Sequence, residues 1–444
     1  MKKYGLGASI AIIVTIILYL FLKEALPKDV ERLPFFVGIL ILDLYLWSSI
    51  KKFVFLYHKV VKYTIMVLYW LPAVGLVGSA ISTFFIDFFE WDNTFRAYLF
   101  GTIFVFYAAK LVPLSFLFLN DILRLIRWFI NLFKPRQKEY TEEFRNSRSK
   151  FLRQFGLITG GIFLSSLLMG MFKWAYEYKI WRHRVRLPNL PKSFEGLKIV
   201  QISDMHLGSM ATETALKDAV KKVNELKPDL IFFTGDLVNY WTAEAFPFQH
   251  VLADLKAPYG IYAILGNHDY GDYKQWESPE AKEENMQELY DYFDDLGWFL
   301  LNNENQVLNK NGEELAVIGV ENWSAYARFQ KRGNLKNALK GTEQSPVKLL
   351  LSHDPTHWSA EVVNEYPDID VTFSGHTHGM QFGIEIPGVK WSPAKFMYKH
   401  WAGLYREQRN GKPQYLYVNR GLGVIGYPGR IGILPEITLM ELVS

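Results

Sequence analysis

A membrane-crossing helical front joined to an α/β domain is the fold class that this 444-residue chain predicts. Long apolar runs crowd the first 175 residues. Behind them, short β-prone runs alternate with amphipathic helical patterns and loop signals. The mean hydropathy lies close to zero only because it averages these two unlike materials. The division predicts a membrane domain over 1–175 and a globular domain over 176–444, each long enough to have its own core.

The apolar runs fall at 5–22, 33–50, 63–89, 97–120 and 155–172. Each can cross a hydrocarbon layer that takes about 20 helical residues, so five spans are expected. The first lacks a small-residue cleavage site before Lys23 and reads as a span rather than a removed leader. Basic connections stay on the cytoplasmic side. Lys2 and Lys3 precede the first span, Lys51, Lys52, Lys59 and Lys62 flank the second connection, and the basic linker 121–154 carries nine Lys or Arg. The third connection is acidic, with Asp87, Glu90 and Asp92. An inner-membrane, multi-pass protein with an extracytoplasmic C-terminal domain follows.

Several details of the front have two readings. Ser147-Arg148-Ser149-Lys150-Phe151-Leu152-Arg153 resembles a twin-arginine export signal, but Arg-Ser-Lys stands in place of the defining pair, and an ordinary basic flank explains it. Segment 124–133 has the pattern of an amphipathic helix lying along the membrane surface. Trp47, Tyr57, Trp91, Trp128, Trp174 and Trp181 fit an interfacial belt. Asp43 and Lys110 fall inside spans, where a charge is either functional or paired with a neighbouring helix. Lys173, Lys179, Arg182, Arg184 and Arg186 belong to the linker and first strand of the domain, or dock on anionic headgroups.

In the globular domain, Thr212–Leu226 reads as a helix ending before Pro228, and 274–297 as a second, acidic and aromatic one. Five motifs carry the chemistry: Asp204-Met205-His206, Gly235-Asp236, Gly266-Asn267-His268-Asp269, His353, and Gly375-His376-Thr377-His378. Any one could be a loop or a helix cap. Each, however, follows an apolar β-prone run, 197–202, 230–234, 261–265, 347–351 and 371–373, so all sit in loops held by a rigid scaffold. Three Asp or Asn oxygens and four His nitrogens exceed what one metal ion takes from a protein. Two divalent ions are therefore expected, with Asp236, at the end of its strand, as the shared ligand.

In this order the motifs resemble the calcineurin-like metallophosphoesterase family, over residues 193–444. The lead-in Leu197–Asp204 and the tail Tyr417–Gly423 with Pro435-Glu436-Ile437 are similar to its membrane-associated bacterial branch. The resemblance implies a four-layer α/β/β/α sandwich with the motif loops gathered at one edge. It implies that Asp204, His206, Asp236 and His378 hold one ion and that Asp236, Asn267, His353 and His376 hold the other, the ions being drawn from Mn, Zn, Fe or Mg. His268 would face the substrate with Asp269 orienting its ring. One departure stands beside the last motif: the branch has glycine where this chain has Met380.

Such a pair of ions lowers the pKa of a bridging water and clamps phosphoryl oxygens for in-line attack, while His268 stabilises charge or protonates the leaving oxygen. With no cysteine in the chain, a thiol nucleophile is excluded. The expected substrate is a phosphoester or pyrophosphate, lipid-linked or from the cell envelope, with membrane lipids as partners and no nucleic acid. Arg420 and Arg430 are candidates either for phosphate contacts or for loop anchors. Two rivals from other classes are a non-catalytic sensor or scaffold, which predicts lost ligands, and a transporter subunit with a regulatory phosphoesterase domain.

Overall fold

The computed structural model describes residues 33–83, 85–133, 142–409 and 411–444. They form two compact units, one from the chain up to Trp91 together with Leu99–Ser165, the other from Asp92–Tyr98 together with Ser166–Ser444.

Four helices, α1 (Leu33–Val54), α2 (Lys59–Ser82), α3 (Asn93–Phe133) and α4 (Glu142–Phe172), supply the first unit, except that the start of α3 through Tyr98 and the end of α4 from Ser166 belong to the second. Each holds a stretch long and apolar enough to cross a membrane. The expected run 5–22 lies outside the described residues. Segment 124–133 is not a separate surface helix: it continues α3 without interruption, since nothing between Asp121 and Phe133 offers a glycine or proline stop. The run expected to reach residue 89 stops as a helix at Ser82. Asp43 and Lys110 are paired at 2.6 Å, with Tyr107 Oη donating to the other Asp43 oxygen and Lys110 also donating to the Tyr69 carbonyl. Both charges are buried and satisfied, which favours helix pairing over a free functional charge.

In the second unit one sheet contains β1 (Lys179–Arg186), β2 (Lys198–Ile202), β3 (Leu230–Phe233), β4 (Ile261–Ala263), β5 (Phe299–Leu300) and β14 (Glu436–Val443), in the order β1-β14-β2-β3-β4-β5. The other contains β6 (Glu304–Lys310), β7 (Glu313–Gly319), β8 (Lys348–Leu351), β9 (Val371–Ser374), β12 (Gly403–Arg409) and β13 (Lys412–Val418), in the order β12-β13-β9-β8-β7-β6. The basic residues 179–186 are thus the edge strand β1, parallel to β14.

Side chains of a strand alternate between faces, and the core follows that alternation. Ile199, Leu230 and Phe232 meet Val317, Leu349, Val371 and Phe373 between the sheets. Val200, Ile202, Ile231 and Phe233 turn outward to Leu216, Val223, Leu289 and Phe293. The latter come from α5 (Glu213–Glu225) and α6 (Pro279–Asp295). Ala316, Ile318 and Leu350 on the far face pack on Leu335, Trp358 and Val362. The layers are therefore α/β/β/α, as expected. Helix α6 starts later than the sequence pattern suggests, because Ser278 caps it through the Ala281 N–H and Pro279 takes its first turn.

Strands β2, β3 and β4 run parallel, as do β8 and β9. Within each sheet the motif loops consequently leave from the same edge.

Candidate metal centre

The backbone at this edge is bent sharply by the ligands themselves. Asp204, His206, Asp236, His376 and His378 all have positive φ, between 46° and 71°. Non-glycine residues rarely adopt this region, and such strain concentrates at functional sites.

Two clusters result, Asp204 with His206 and His378, and Asp236 with His353 and His376; in each, the donor atoms lie within 4.8 Å of one another. His378 Nε2 stands 3.1 Å from His206 Nε2 and 3.2 Å from Asp204 Oδ1. His353 Nε2 stands 3.1 Å from Asp236 Oδ2 and 3.3 Å from His376 Nδ1. Asp236 Oδ2 also reaches His206 Nε2 at 3.6 Å, so one carboxylate oxygen faces both clusters. Its other oxygen accepts the His268 backbone N–H at 2.8 Å. One oxygen is thus engaged by the loop, and Oδ2 is the one turned to both clusters.

The donor set fits two cations. Imidazole nitrogens gathered face to face beside carboxylates need a positive centre between them. Their outer nitrogens are fixed as ligating histidines require: His206 Nδ1 lies 3.0 Å from Asn239 Oδ1, and His353 Nδ1 lies 2.7 Å from the Thr234 carbonyl. Asn267 donates through Nδ2 to Tyr273 Oη, while its buried Oδ1 lacks a hydrogen-bond partner. An oxygen left unsatisfied in that way costs stability unless something positive meets it.

Electrostatics agree. Burial opposes ionisation of Asp204, but His378 nearby holds it at about 2. Burial likewise disfavours the charge on Asp236, and His353 outweighs it, keeping the carboxyl well below its ordinary value. Burial would discharge His353, yet Asp236 holds it at about 10. His206 has been pushed down to about 3 by burial, and burial also lowers His376. These surroundings favour ionised carboxylates and a protonated His353, whose proton a bound cation would displace.

His268 sits at the rim. Its Nδ1 is 2.8 Å from the Asn239 carbonyl, and its ring stacks obliquely on Tyr273. Asp269 does not orient that ring. Fully buried, it accepts the backbone N–H groups of Asp236, Leu237, Val238 and Gly266 at 2.7–3.3 Å. It ties the Asp236 loop to the Asn267 loop, because a chain turning back on itself leaves N–H groups that only a buried acceptor can satisfy. Burial and the neighbouring Asp236 push its carboxyl up to about 7, against the pull of these donors.

Arg420 and Arg430 are not phosphate contacts. Arg420 is buried against Glu436 and Glu385. Arg430 is 0 % exposed and donates to the carbonyls of Arg420, Gly421 and Gly423. Each anchors the tail loop beneath Asp204. Three other residues had no motif to reveal them: Asn239 holds both His206 and His268, Tyr398 Oη lies 3.0 Å from His376 Nε2, and Glu244 accepts the Asn239 N–H.

Beside Asn267 opens a cleft of about 280 Å³ lined by Tyr270, Tyr273, Lys274, Lys282, Arg328 and Arg332, with Asp272 its one acidic side chain. Arg328 reaches Tyr398 Oη at 3.3 Å, while Lys282 and Arg332 both pair with Asp272.

Known proteins resemble both parts of the chain. The family described as "Calcineurin-like phosphoesterase" matches residues 197–380, and "Probable Calcineurin-like phosphoesterase, transmembrane domain" matches residues 31–174. The metallophosphoesterase YkuE of Bacillus subtilis is 30% identical over 309 residues, covering 67% of this chain and 98% of YkuE. The UDP-2,3-diacylglucosamine pyrophosphatase LpxG of Chlamydia trachomatis is 31% identical over 301 residues, covering 57% of this chain and 86% of LpxG. The NAD nucleotidase of Haemophilus influenzae, a solved structure, shares 17% identity with a TM-score of 0.37, over 52% of this chain and 45% of that one. The chain belongs to the calcineurin-like metallophosphoesterase family. It is a membrane protein and a metal-dependent phosphoester hydrolase.

Proposed function

We propose that this chain is a dinuclear hydrolase, held in the inner membrane with its catalytic domain outside the cytoplasm, that cleaves a phosphoester or pyrophosphate in a lipid-linked or envelope molecule. The single observation that carries the reading is the one Asp236 oxygen turned toward both histidine clusters. Asp204, His206, Asp236 and His378 would hold one ion, and Asp236, Asn267, His353 and His376 the other. When bound, such ions supply an acidified water and neutralise phosphoryl charge.

The chain's own residues do the rest. His268, pinned through Nδ1, holds a proton at Nε2 in its imidazolium form and passes it to the leaving oxygen. Asn239 fixes this ring and that of His206 together. The cationic, aromatic cleft beside Asn267 suits an anionic group beyond the scissile phosphate, which favours a pyrophosphate or diester over a simple monoester. LpxG, whose name states action on UDP-2,3-diacylglucosamine, makes an amphiphilic substrate the leading candidate.

Orientation rests on charge. Basic residues cluster at the α1–α2 connection and between α3 and α4, whereas the α2–α3 connection carries Asp87, Glu90 and Asp92. With basic connections inside, the chain beyond α4 lies outside.

The test is hydrolysis by the full chain in detergent with Mn, Zn, Fe or Mg, offered an aryl phosphodiester, an aryl monoester and a nucleoside-diphosphate-linked acylated sugar. Turnover that prefers the diester or the diphosphate and vanishes in Asp236→Asn supports the reading. No turnover of any substrate with any of these metals overturns it.

A further inference from the structure

The loop that follows the metal ligands His376 and His378 carries apolar side chains outward. Met380, Phe382, Ile384, Ile386, Val389 and Phe396 are 38% to 76% exposed. Three features show that this exposure is built in.

The first is the hairpin of β10 (Ile384–Ile386) and β11 (Val389–Trp391). Its register pairs Ile384 with Trp391 and Ile386 with Val389, which places these four on one face and Glu385 and Lys390 on the other. A solvated hairpin would keep its charged face outward. Here Glu385 pairs with Arg420 and Lys390 donates to the Ala402 carbonyl. The polar face is fastened to the domain, and the apolar face is left free.

The second is Met380. Its φ of 51° belongs to the left-handed region, which glycine occupies without penalty and other residues at a cost of roughly 1 kcal/mol. A large apolar side chain held there leaves 42% of its surface exposed, outside the protein's own core.

The third is position. The last turns of α4, Ser166–Phe172, belong to the same compact unit as the sheets. There Tyr427 Oη donates to the Leu167 carbonyl and the Arg430 N–H to the Gly170 carbonyl. The next residue, Ile431, exchanges backbone hydrogen bonds with Gln381 and Gly383 at 2.7 and 2.8 Å. One residue thus separates the end of a membrane-crossing helix from the root of the hairpin.

We infer that the hairpin, together with Met380, Phe382 and Phe396, is seated in the lipid–water interface. Apolar side chains at the end of a span gain from burial at the acyl boundary, and exposed Lys395 and Lys399 beside them suit anionic headgroups. The hairpin is rooted on the ligand loop, where Ser392 Oγ donates to the Gly379 carbonyl. Seating it therefore sets the metal centre at headgroup level, where a phosphoester of an amphiphile lies. The inference goes beyond the proposed reaction, and its test does not involve turnover.

Because the chain lacks cysteine, a single environment-sensitive fluorophore can be placed by Ile386→Cys or Phe396→Cys. Asp368→Cys, just before β9 and thus at the sheet end opposite the ligand loops, is the control. The full chain is reconstituted in nanodiscs of phosphatidylcholine and phosphatidylglycerol, with or without a nitroxide-bearing lipid, and iodide serves as the aqueous quencher. At 386 and 396 the nitroxide lipid is expected to quench at least twofold more than at 368, and iodide at least twofold less. Equal quenching at all three positions would overturn the inference. Shielding from both quenchers at 386 and 396 would also overturn it, since a protein partner would then cover the face.

Discussion

Asp269→Asn separates a carboxylate that clamps the active-site loops from one that merely tunes His268. Each oxygen of Asp269 accepts two backbone N–H groups, Leu237 and Val238 on one and Asp236 and Gly266 on the other. Whichever oxygen becomes the amide nitrogen, two N–H donors then face an NH₂ group. An unsatisfied buried donor costs about 1–3 kcal/mol, so the substitution should remove roughly 2–6 kcal/mol. A domain of this size shifts its melting temperature by about 2–4 °C per kcal/mol, which predicts a drop of at least about 4 °C. The loops it joins carry Asp236 and Asn267, so affinity for both ions should weaken as well. The assay is thermal melting of the full chain in detergent, followed by tryptophan emission, with bound metal counted by mass spectrometry. An Asp269→Asn protein that melts with the parent, retains its metal and loses only turnover would refute the clamp and restore the ring-orienting role.

Three other outcomes follow from the same contacts. His268→Ala should lower turnover by about 10²- to 10⁴-fold while metal content stays near the parent's; loss of an ion on metal analysis would make this residue a ligand. Glu244, pushed up to about 7 by burial, binds its proton more tightly folded than unfolded, so its contribution is full at acid pH and is lost as pH rises through 7. Glu244→Gln can retain both N–H bonds from Asn239 and Tyr240, which share one oxygen, and it should gain stability over the parent by up to roughly 3 kcal/mol between pH 4.5 and 7; parallel melting curves across that range would contradict this. In the membrane unit, Lys110→Met alone strands Asp43 and should cost about 3–5 kcal/mol, whereas Asp43→Leu with Lys110→Met should recover most of it. Chemical denaturation in micelles reads both, and equal destabilisation of single and double variants would show that the pair is not simply structural.

What could be read from the sequence was what local chemistry determines. The strands before the motifs were legible as β-prone runs, the sandwich order came only with the family resemblance that the motifs carry, and α5 was legible because Pro228 and Thr212 bound an amphipathic stretch. The histidines and carboxylates of the two clusters were visible because few roles other than metal binding suit that residue set. The role of Asp269 was not visible, since it depends on where four backbone N–H groups converge from two loops. For Arg420 and Arg430 the choice between phosphate contact and loop anchor stayed open, because a sequence shows their charge but not the carboxylates and carbonyls that the fold brings to them. The outward apolar face of the hairpin was hidden for the same reason: alternation marks two faces, and only the Glu385–Arg420 pair tells which one turns inward.

Metal stoichiometry tests the central claim most directly. The full chain, loaded with excess Mn and freed of loosely held ions, should retain two ions per chain, and Asp236→Asn should lose both in parallel with hydrolysis of an aryl phosphodiester. A parent chain that retains one ion or none under these conditions, or an Asp236→Asn chain that retains two, would contradict the shared-ligand site.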